Sequence, residues 1–506
     1  MYFTSAGFAL FLPCVVLCYY AVPRRWQNAV LLLASCVFYS FNLGGSVVPA
    51  LALAANVVFT YGLARAIEHA QGAAKKRLAA LAVAACVAVL AVFKYYNAFV
   101  PTVLGLTSFA RLALPIGISF YTFATISYLV DVARGELPAE TNFITYAAFV
   151  TFFGTIVSGP ICRAKAILPQ LHTRRNWDTQ RTVDALRLVL VGLFKWVAVA
   201  NVLGLYVNQI YNNLAAYQGL TLIFAAVLYA LELYFEFSGY SDIARGIGLL
   251  LGLSIPVNFK TPYFATNFSG FWNRWHITLS NWLQDYIFMP LVWGRWPSHL
   301  PVIGKKLQDP PMISSVAIVF FISGLWHGNT LPFVVWGCLQ AAFRVGEELL
   351  HRYYRKPKKR PSVPLRIFKT AAVFVLWSAS LVFFRVGLLT GGTVGDAFSA
   401  LGRQFTGWSL SRFATETVAA VQTGFYTKPI MVAFYFAFLA AVLTIAFVAD
   451  WRQCFVHRDQ PIDTRIALLR PAARWLVYYL LIGCILVGTI MQSGGFGTVS
   501  FAYAGF

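Results

Sequence analysis

The chain has 506 residues, of which 59% are hydrophobic, 16% aromatic and only 11% charged. Soluble globular domains carry about a quarter charged residues, so this chain has too few charges to cover a water-facing surface of its size. The apolar content also excludes intrinsic disorder. Eight cysteines, most of them inside apolar stretches, do not make a disulfide scaffold. The composition therefore predicts an all-α polytopic membrane protein.

Apolar runs close to the length that crosses a bilayer as a helix, about 20 residues, recur along the chain. The first of them lacks a basic n-region and is not predicted to be a cleavable signal peptide. We predict 11–12 transmembrane helices plus re-entrant and interfacial helices. The twelve predicted spans are 6–22, 28–43, 47–64, 78–100, 112–130, 188–209, 219–238, 312–329, 331–350, 370–390, 428–449 and 475–493.

The basic residues predict the orientation, because cytoplasmic loops retain Lys and Arg. The net charge is +22, and loops such as 42–46 and 212–219 contain no basic residue. Both termini are therefore predicted to face outward. The alternate loops hold 33 of the 40 basic residues, at 24–25, 65–77, 134, 162–187, 241–311, 344–369 and 450–474. The block at 352–369 is expected to contact anionic membrane lipid, and no nucleic-acid partner is predicted.

Two regions break the alternation of spans. Residues 146–161 are apolar, yet basic loops flank them on both sides, and the segment ends in Ser-Gly-Pro. Either it is a re-entrant helix whose broken end lies within protein, or it is a full span. The second region, 239–311, has no clean span but is rich in aromatic residues, Asn, Arg and His.

Within that second region, the residues 269–286 are predicted to form one helix, capped by Asn267 or Ser269. At 100° per residue, Asn273, His276 and Ser280 fall on a common arc. Because polar residues cover more than half of the perimeter, several of them are expected to face a protein cavity. The alternative is a Trp-anchored interfacial helix with an incidental histidine.

His327 lies in the sequence Gly-Leu-Trp-His-Gly, between two apolar runs. An ionisable side chain inside a membrane is costly, and it usually faces the protein interior and serves a function. Gly324 and Gly328 flank the histidine and allow a backbone or a substrate to approach closely. The alternative is a core histidine that is bonded to a backbone carbonyl.

Two histidines on separate elements suit proton transfer, because the imidazole titrates near neutral pH. No metal site is predicted, since no third ligand lies at a metal-binding spacing, and no GxSxG nucleophile elbow is present. Glu232 and Glu236 share a helix face that leads to Asp242. These carboxylates form either a proton relay or structural pairs with Arg245 or Lys260.

Five motifs together resemble the membrane-bound O-acyltransferase (MBOAT) family, especially its bacterial branch that contains the alginate O-acetylation membrane subunit. The resemblance covers about 1–390 and keeps the order of the motifs. They are LPIGISFYTFATISYLVD at 114–131, SGPICR at 158–163, YFEFSGYSDIARGIG at 234–248, RWHITLS at 274–280 and GLWHG at 324–328.

The resemblance implies roles for individual residues. His327 corresponds to the histidine that the family uses as catalytic residue, and His276 to the family's second functional histidine. Arg274 and Lys260 are expected to bind the phosphates of the donor. The family architecture implies a tunnel, which we expect to be lined by Asn273, Trp275, Ser280, Asp242 and Trp326.

The resemblance also implies three regions, an activity and a set of partners. N-terminal transmembrane helices at 1–111 precede a catalytic core at 112–350 and C-terminal helices at 351–506. The expected reaction is O-acyl transfer, most simply of acetyl, with no tightly bound cofactor. The donor would be acetyl-CoA or another cytoplasmic acyl thioester.

The acceptor implied by the resemblance is an exported or cell-wall polysaccharide, reached directly or through a periplasmic esterase-like partner protein. The expected location is the bacterial inner membrane, with both termini on the periplasmic side. The alternatives are a proton-coupled transporter or, within the family, a D-alanyl, lipid or protein acyltransferase. The absence of an internal repeat in the sequence argues against the transporter.

Overall fold

The computed structural model describes residues 1–104, 112–294, 310–353, 362–422, 428–456 and 462–493, and these residues form helices, turns and loops without a strand. The predicted all-α class is confirmed. The α-helices are α1 Ala6–Ala21, α2 Arg24–Ser40, α3 Val48–His69, α4 Gly72–Leu104, α5 Ile118–Arg134, α6 Phe143–Thr151, α7 Ala164–Leu171, α8 Thr179–Leu193, α9 Asn201–Tyr211, α10 Leu220–Leu250, α11 Phe268–Trp272, α12 Ile277–Leu283, α13 Met289–Trp293, α14 Pro310–His327, α15 Leu331–Tyr353, α16 Val363–Gly387, α17 Val394–Arg403, α18 Leu410–Val421, α19 Pro429–Trp451, α20 Ile462–Ala467 and α21 Pro471–Ser493.

Each of the twelve predicted spans overlaps at least one of these helices, and the span 188–209 covers parts of both α8 and α9, which the π-helix Phe194–Ala200 joins. The helix Ala6–Ala21 and the part Met312–His327 of α14 are apolar but shorter than the seven candidates named below. The chain is a multi-pass membrane protein, while the count of twelve crossings stays a prediction. Within the described residues, seven helices are long and apolar enough to cross a membrane: Val48–His69, Gly72–Ala98, Thr179–Tyr211, Leu220–Leu250, Val363–Gly387, Pro429–Val456 and Pro471–Gln492.

The described residues form two compact units. The first comprises Met1–Val189 and Ser241–Val257, and the second comprises Leu190–Tyr240 and the described part of Asn258–Ala502. Both His276 and His327 belong to the second unit. The predicted regions 1–111, 112–350 and 351–506 were defined by expected function, whereas the two units are defined by compact packing. The predicted regions therefore stay a prediction. The predicted lipid-contacting block at 352–369 falls partly outside the described residues.

The first unit contains the segment 146–161. The side chain of Asn142 accepts a hydrogen bond from the backbone N–H of Thr145 and caps α6, which ends at Thr151. Residues 152–161 continue as buried turns and coil. Gly117, at φ +74°, packs directly against the carbonyl of Ile156, where a Cβ atom would overlap. The apolar segment is thus a nine-residue helix followed by non-helical backbone enclosed by protein, as the re-entrant alternative requires.

The continuous helix predicted over 269–286 is wrong. The predicted cap is present, since the side chain of Asn267 accepts a hydrogen bond from the backbone N–H of Gly270 at 2.7 Å. However, α11 ends at Trp272, and His276 adopts the left-handed conformation (φ +42°) before α12 begins. The common arc of Asn273, His276 and Ser280 therefore does not exist, because the left-handed residue changes the direction of the chain.

Candidate active site

His327 is the last residue of α14 and is only 4% exposed. Three aromatic rings surround its imidazole. The ring centroids lie 4.7 Å away for Trp326, 4.9 Å for Trp336 and 5.0 Å for Phe384, all at steep interplanar angles. Edge-to-face contacts of this kind fix the orientation of a ring without adding a charge. The imidazole thus lies in an aromatic pocket.

Glycines allow α14 and α15 to approach closely beside His327. A Cβ atom on Gly324 would lie 2.6 Å from the carbonyl oxygen of Phe333, and one on Gly337 would lie 2.6 Å from that of Phe320. A Cβ atom on Gly328 would overlap the ring of Phe333. The close backbone approach that the two flanking glycines predict is confirmed, and it places Trp336 against the histidine.

His276 is 1% exposed and is held by Asn258. Its Nδ1 lies 3.1 Å from the Asn258 side-chain oxygen, which also accepts bonds from the backbone N–H and the hydroxyl of Thr278 at 3.2 and 2.8 Å. Because that oxygen is an acceptor, Nδ1 carries the proton, and Nε2 is the basic atom of the neutral ring. Burial lowers the pKa of His276 to about 3, so the ring is neutral at physiological pH.

Two backbone hydrogen bonds hold the loop around His276. The N–H of Lys260 donates to the carbonyl of Arg274, and the N–H of Ile277 donates to the carbonyl of Asn258, both at 2.9 Å. The Arg274 guanidinium donates to the hydroxyl of Thr261 at 3.2 Å. Thr261 and His276 both have positive φ values, near +44° and +42°. Such strain persists only where the surroundings enforce it, and it is frequent at functional sites.

Trp326 brings the two histidines into one site. Its ring centroid lies 6.4 Å from that of His276 and 4.7 Å from that of His327. On another side of His276, Phe237 makes an edge contact at 4.7 Å. Two histidines that lie 51 positions apart in the chain therefore both contact the indole ring of Trp326. This tryptophan is one of the residues predicted to line the tunnel.

The other residues of the loop and helix around His276 that were predicted to line the tunnel differ in burial and contacts. Trp275 is buried and packs on Trp377 at 5.0 Å. The hydroxyl of Ser280 donates to the carbonyl of Trp275 at 3.4 Å. Asn273 is exposed.

The predicted carboxylates and the residues predicted to bind the donor phosphates do not form one cluster in the described contacts. Asp242 belongs to the first unit and forms an ion pair with Arg245 at 3.1 Å, as the structural alternative predicts. Glu232 interacts electrostatically with Arg385, rather than with Arg245 or Lys260 as the structural alternative predicts. The side chain of Lys260 is exposed, as a phosphate ligand would need to be.

Three residues of this site carry little signal in the sequence. Asn258 fixes the tautomer of His276, and Trp336 and Phe384 enclose His327. Asn258 is a lone amide in an otherwise apolar stretch, which is a weak signal. The two aromatic residues lie in apolar helices, where nothing in the sequence distinguishes them from ordinary core residues.

The fold and the site together define a class of protein: an integral membrane protein with two buried histidines among its helices. Residues 77–384, more than half of the chain and including both histidines, match MBOAT, the membrane-bound O-acyltransferase family. The chain belongs to this family and is an O-acyltransferase.

Relatives within the family act on different polymers, according to their names. A probable alginate O-acetylase of Pseudomonas aeruginosa is 33% identical over 437 residues, which cover 84% of this chain and 79% of that protein. A peptidoglycan O-acetyltransferase of Helicobacter pylori is 30% identical over 72% of this chain and 71% of its own length. A teichoic acid D-alanyltransferase of Bacillus subtilis is 27% identical over 49% of this chain and 62% of its own.

Proposed function

We propose that the chain transfers an acetyl group from a cytoplasmic acyl thioester, such as acetyl-CoA, to a hydroxyl of an exported or cell-wall polysaccharide. The observation that carries this proposal is the burial of His327 beside Trp326, with His276 on the same indole. The names of the similar O-acetylases of alginate and peptidoglycan support acetyl as the group and a polysaccharide as the acceptor.

In this mechanism His327 is the general base and then the general acid. Its imidazole takes the proton of the attacking hydroxyl while the hydroxyl oxygen forms a bond to the thioester carbonyl carbon. The carbon–sulfur bond then breaks, and the imidazolium returns the proton to the departing sulfur. The aromatic pocket excludes water, which would otherwise hydrolyse the thioester.

His276 acts as a positioning residue in this proposal. Asn258 holds Nδ1–H, so the basic Nε2 can share or orient the proton, or position the donor. Lys260 and Arg274 would bind the donor phosphates on the cytoplasmic side. Trp275, Ser280 and Asn273 stay proposed as tunnel residues.

The proposed location and partners follow the same scheme. The chain would lie in the bacterial inner membrane with both termini in the periplasm, as the distribution of basic residues favours. The acetyl group would reach the polymer directly or through a periplasmic esterase-like protein.

The first test removes the base. His327→Ala should leave the amount of membrane-inserted protein unchanged and lower the ester content of the surface polymer at least about a hundredfold, the usual contribution of a general base. His327→Gln should be as inactive, although it fills more of the pocket. Exposed His69 supplies the matched control, because His69→Ala should acetylate normally. Normal ester content with His327→Ala would refute the mechanism.

A second candidate activity is D-alanyl transfer, which the similarity to the teichoic acid D-alanyltransferase of B. subtilis favours. The two candidates differ in the mass of the ester group on the polymer. Mass spectrometry of the surface polymer from cells with and without the protein identifies that group. A D-alanyl ester that disappears with the protein would replace acetyl in the proposal.

A further inference from the structure

A cavity of about 880 Å³ lies in the second unit, between α10, α16, α19 and the residues 263–266. Aliphatic and aromatic side chains form most of its wall, including Val227, Leu231, Phe374 and Leu443. Its volume is within the range of small-molecule sites. The two histidines are not among the described residues that line it, so the acyl-transfer proposal leaves this cavity unused.

The mouth of the cavity is apolar on its outer side. Val363 and Ile367 of α16 are 67% and 65% exposed, and Phe447 of α19 is 60% exposed. Both helices belong to membrane-spanning candidates. Large apolar side chains that are exposed on such helices face lipid acyl chains. The cavity therefore opens on the lipid-facing side of α16 and α19, near the end of α16 that the distribution of basic residues predicts to be cytoplasmic.

A cationic side chain, that of Arg366, lines the cavity. The Arg366 guanidinium is exposed and stacks over the ring of Phe455 at 5.5 Å. Lys369 and Arg452, which are also exposed, lie next to lining residues in the chain. Arg366, Lys369 and Arg452 all fall in the basic loops that are predicted to be cytoplasmic.

The cavity has a carboxylate as well. An oxygen of Asp450 accepts a hydrogen bond from the hydroxyl of Tyr234 at 2.8 Å. The ring of Tyr234 in turn lies 6.2 Å from that of Trp275, next to His276. Asp450 is thus linked through Tyr234 to Trp275, whereas Arg366 stacks on Phe455.

From this arrangement we propose that the cavity binds an anionic phospholipid of the cytoplasmic leaflet. The lipid phosphate pairs with the planar guanidinium of Arg366, which matches phosphate oxygens in a bidentate manner. One acyl chain fills the apolar space between α16 and α19. Lys369 and Arg452 add positive charge around the headgroup, so a negatively charged lipid is preferred over a zwitterionic one.

The test measures lipid retention by native mass spectrometry of the purified full chain in detergent. The chain is incubated with phosphatidylglycerol, or with phosphatidylcholine or phosphatidylethanolamine of the same acyl chains. Phosphatidylglycerol should be retained about fivefold better than either zwitterionic lipid, the effect of roughly one favourable charge. Arg366→Ala removes one of the three positive charges and should lower both the retention of phosphatidylglycerol and this preference, whereas Arg25→Ala, at an exposed arginine outside the cavity, should preserve both.

Two further variants separate charge from shape. Asp450→Asn removes a negative charge from the lining and should raise phosphatidylglycerol retention a few-fold. Ala371→Trp places an indole in the cavity, and it should lower retention of all three lipids while Arg366 stays in place. These variants keep the proposal testable if Arg366→Ala does not fold.

Several outcomes would overturn the proposal. These are equal retention of the three lipids, an unchanged preference with Arg366→Ala, and displacement of phosphatidylglycerol by coenzyme A, which would assign the cavity to the donor. The lipid proposal is independent of the catalytic one, since His327→Ala should retain phosphatidylglycerol as the parent does.

Discussion

At the scale of single residues, His276 combines a buried ring with a backbone conformation that L-residues rarely adopt. The left-handed conformation costs about 1–2 kcal/mol for a residue with a Cβ atom. The side-chain oxygen of Asn258 accepts hydrogen bonds from Nδ1 of the ring and from the backbone N–H of Thr278, and these bonds hold the residue in this state. In this conformation the imidazole of His276 contacts the ring of Trp326. The cost of the left-handed backbone is thus the cost of orienting the imidazole.

The burial of His276 predicts a stability that depends on pH. Because its pKa is about 3 in the folded chain and about 6.5 when unfolded, the neutral ring stabilises the fold fully above about pH 6.5. This stabilisation is lost as the pH falls from there toward 3. His276→Asn lacks the titration and tolerates the left-handed backbone. The difference in melting temperature between parent and variant should therefore shrink from pH 7.5 to pH 5.

Thermal unfolding in detergent at several pH values measures this difference. His69→Asn, at an exposed histidine, is the matched control and should follow the parent at every pH. A constant difference between the parent and His276→Asn would show that the ring of His276 is not buried in its neutral form.

At the scale of helices, the contact between α14 and α15 sets the position of His327. Gly337→Ala would place a Cβ atom 2.9 Å from the Cα of Gly324 and 2.6 Å from the carbonyl oxygen of Phe320. The helices must then separate, at a cost of about 1–3 kcal/mol. We expect a lower melting temperature and a several-fold lower acetylation rate, because Trp336 moves with α15.

Gly346 provides a matched control on the same helix, since its Cβ position is open. Gly346→Ala should stabilise the chain by about 0.5–1 kcal/mol through helix propensity and leave the rate unchanged. If the two alanine variants behaved alike, the close approach of α14 and α15 would not determine the site.

The helices were largely predictable from the sequence, but their interruptions were not. Apolar runs are local signals, so the predicted spans fall on helices. The break at His276 depends on Asn258, which lies 18 residues away in the chain, and the local 100° pattern continues through it. The tautomer of His276 and the ring cluster at His327 likewise depend on contacts between distant segments, which periodicity does not encode.

At the scale of the whole molecule, the distribution of Lys and Arg predicts which loops face the cytoplasm. Lys76 lies in the basic segment 65–77, near the start of α4, and Asn213 lies in a loop without basic residues; both are exposed. In a variant whose native cysteines are replaced by alanine, Asn213→Cys should react with a membrane-impermeant maleimide in intact spheroplasts. Lys76→Cys should react only after lysis, because the positive-inside rule places it in the cytoplasm.

Labelling of both cysteines before lysis would contradict this topology, and the reverse pattern would invert it. Cysteines placed in further loops extend the experiment to the number of crossings. Helices such as α15, which carries Arg344, Glu347 and Glu348, are less apolar than the seven clear candidates. Composition alone therefore does not decide whether they cross the membrane, whereas the side on which their loops are labelled does.

The enclosure of His327 by Trp326, Trp336 and Phe384 has a consequence for bioenergetics. In the proposed reaction, an acylium equivalent leaves the cytoplasm and one proton from the acceptor hydroxyl returns through the imidazole to the sulfur. The acylium equivalent carries one positive charge outward, and the proton carries one positive charge inward. Moving one charge through 100 mV is worth about 2.3 kcal/mol, and this work cancels over a turnover. The proposed exchange is thus electroneutral, and we expect the membrane voltage neither to drive nor to oppose it.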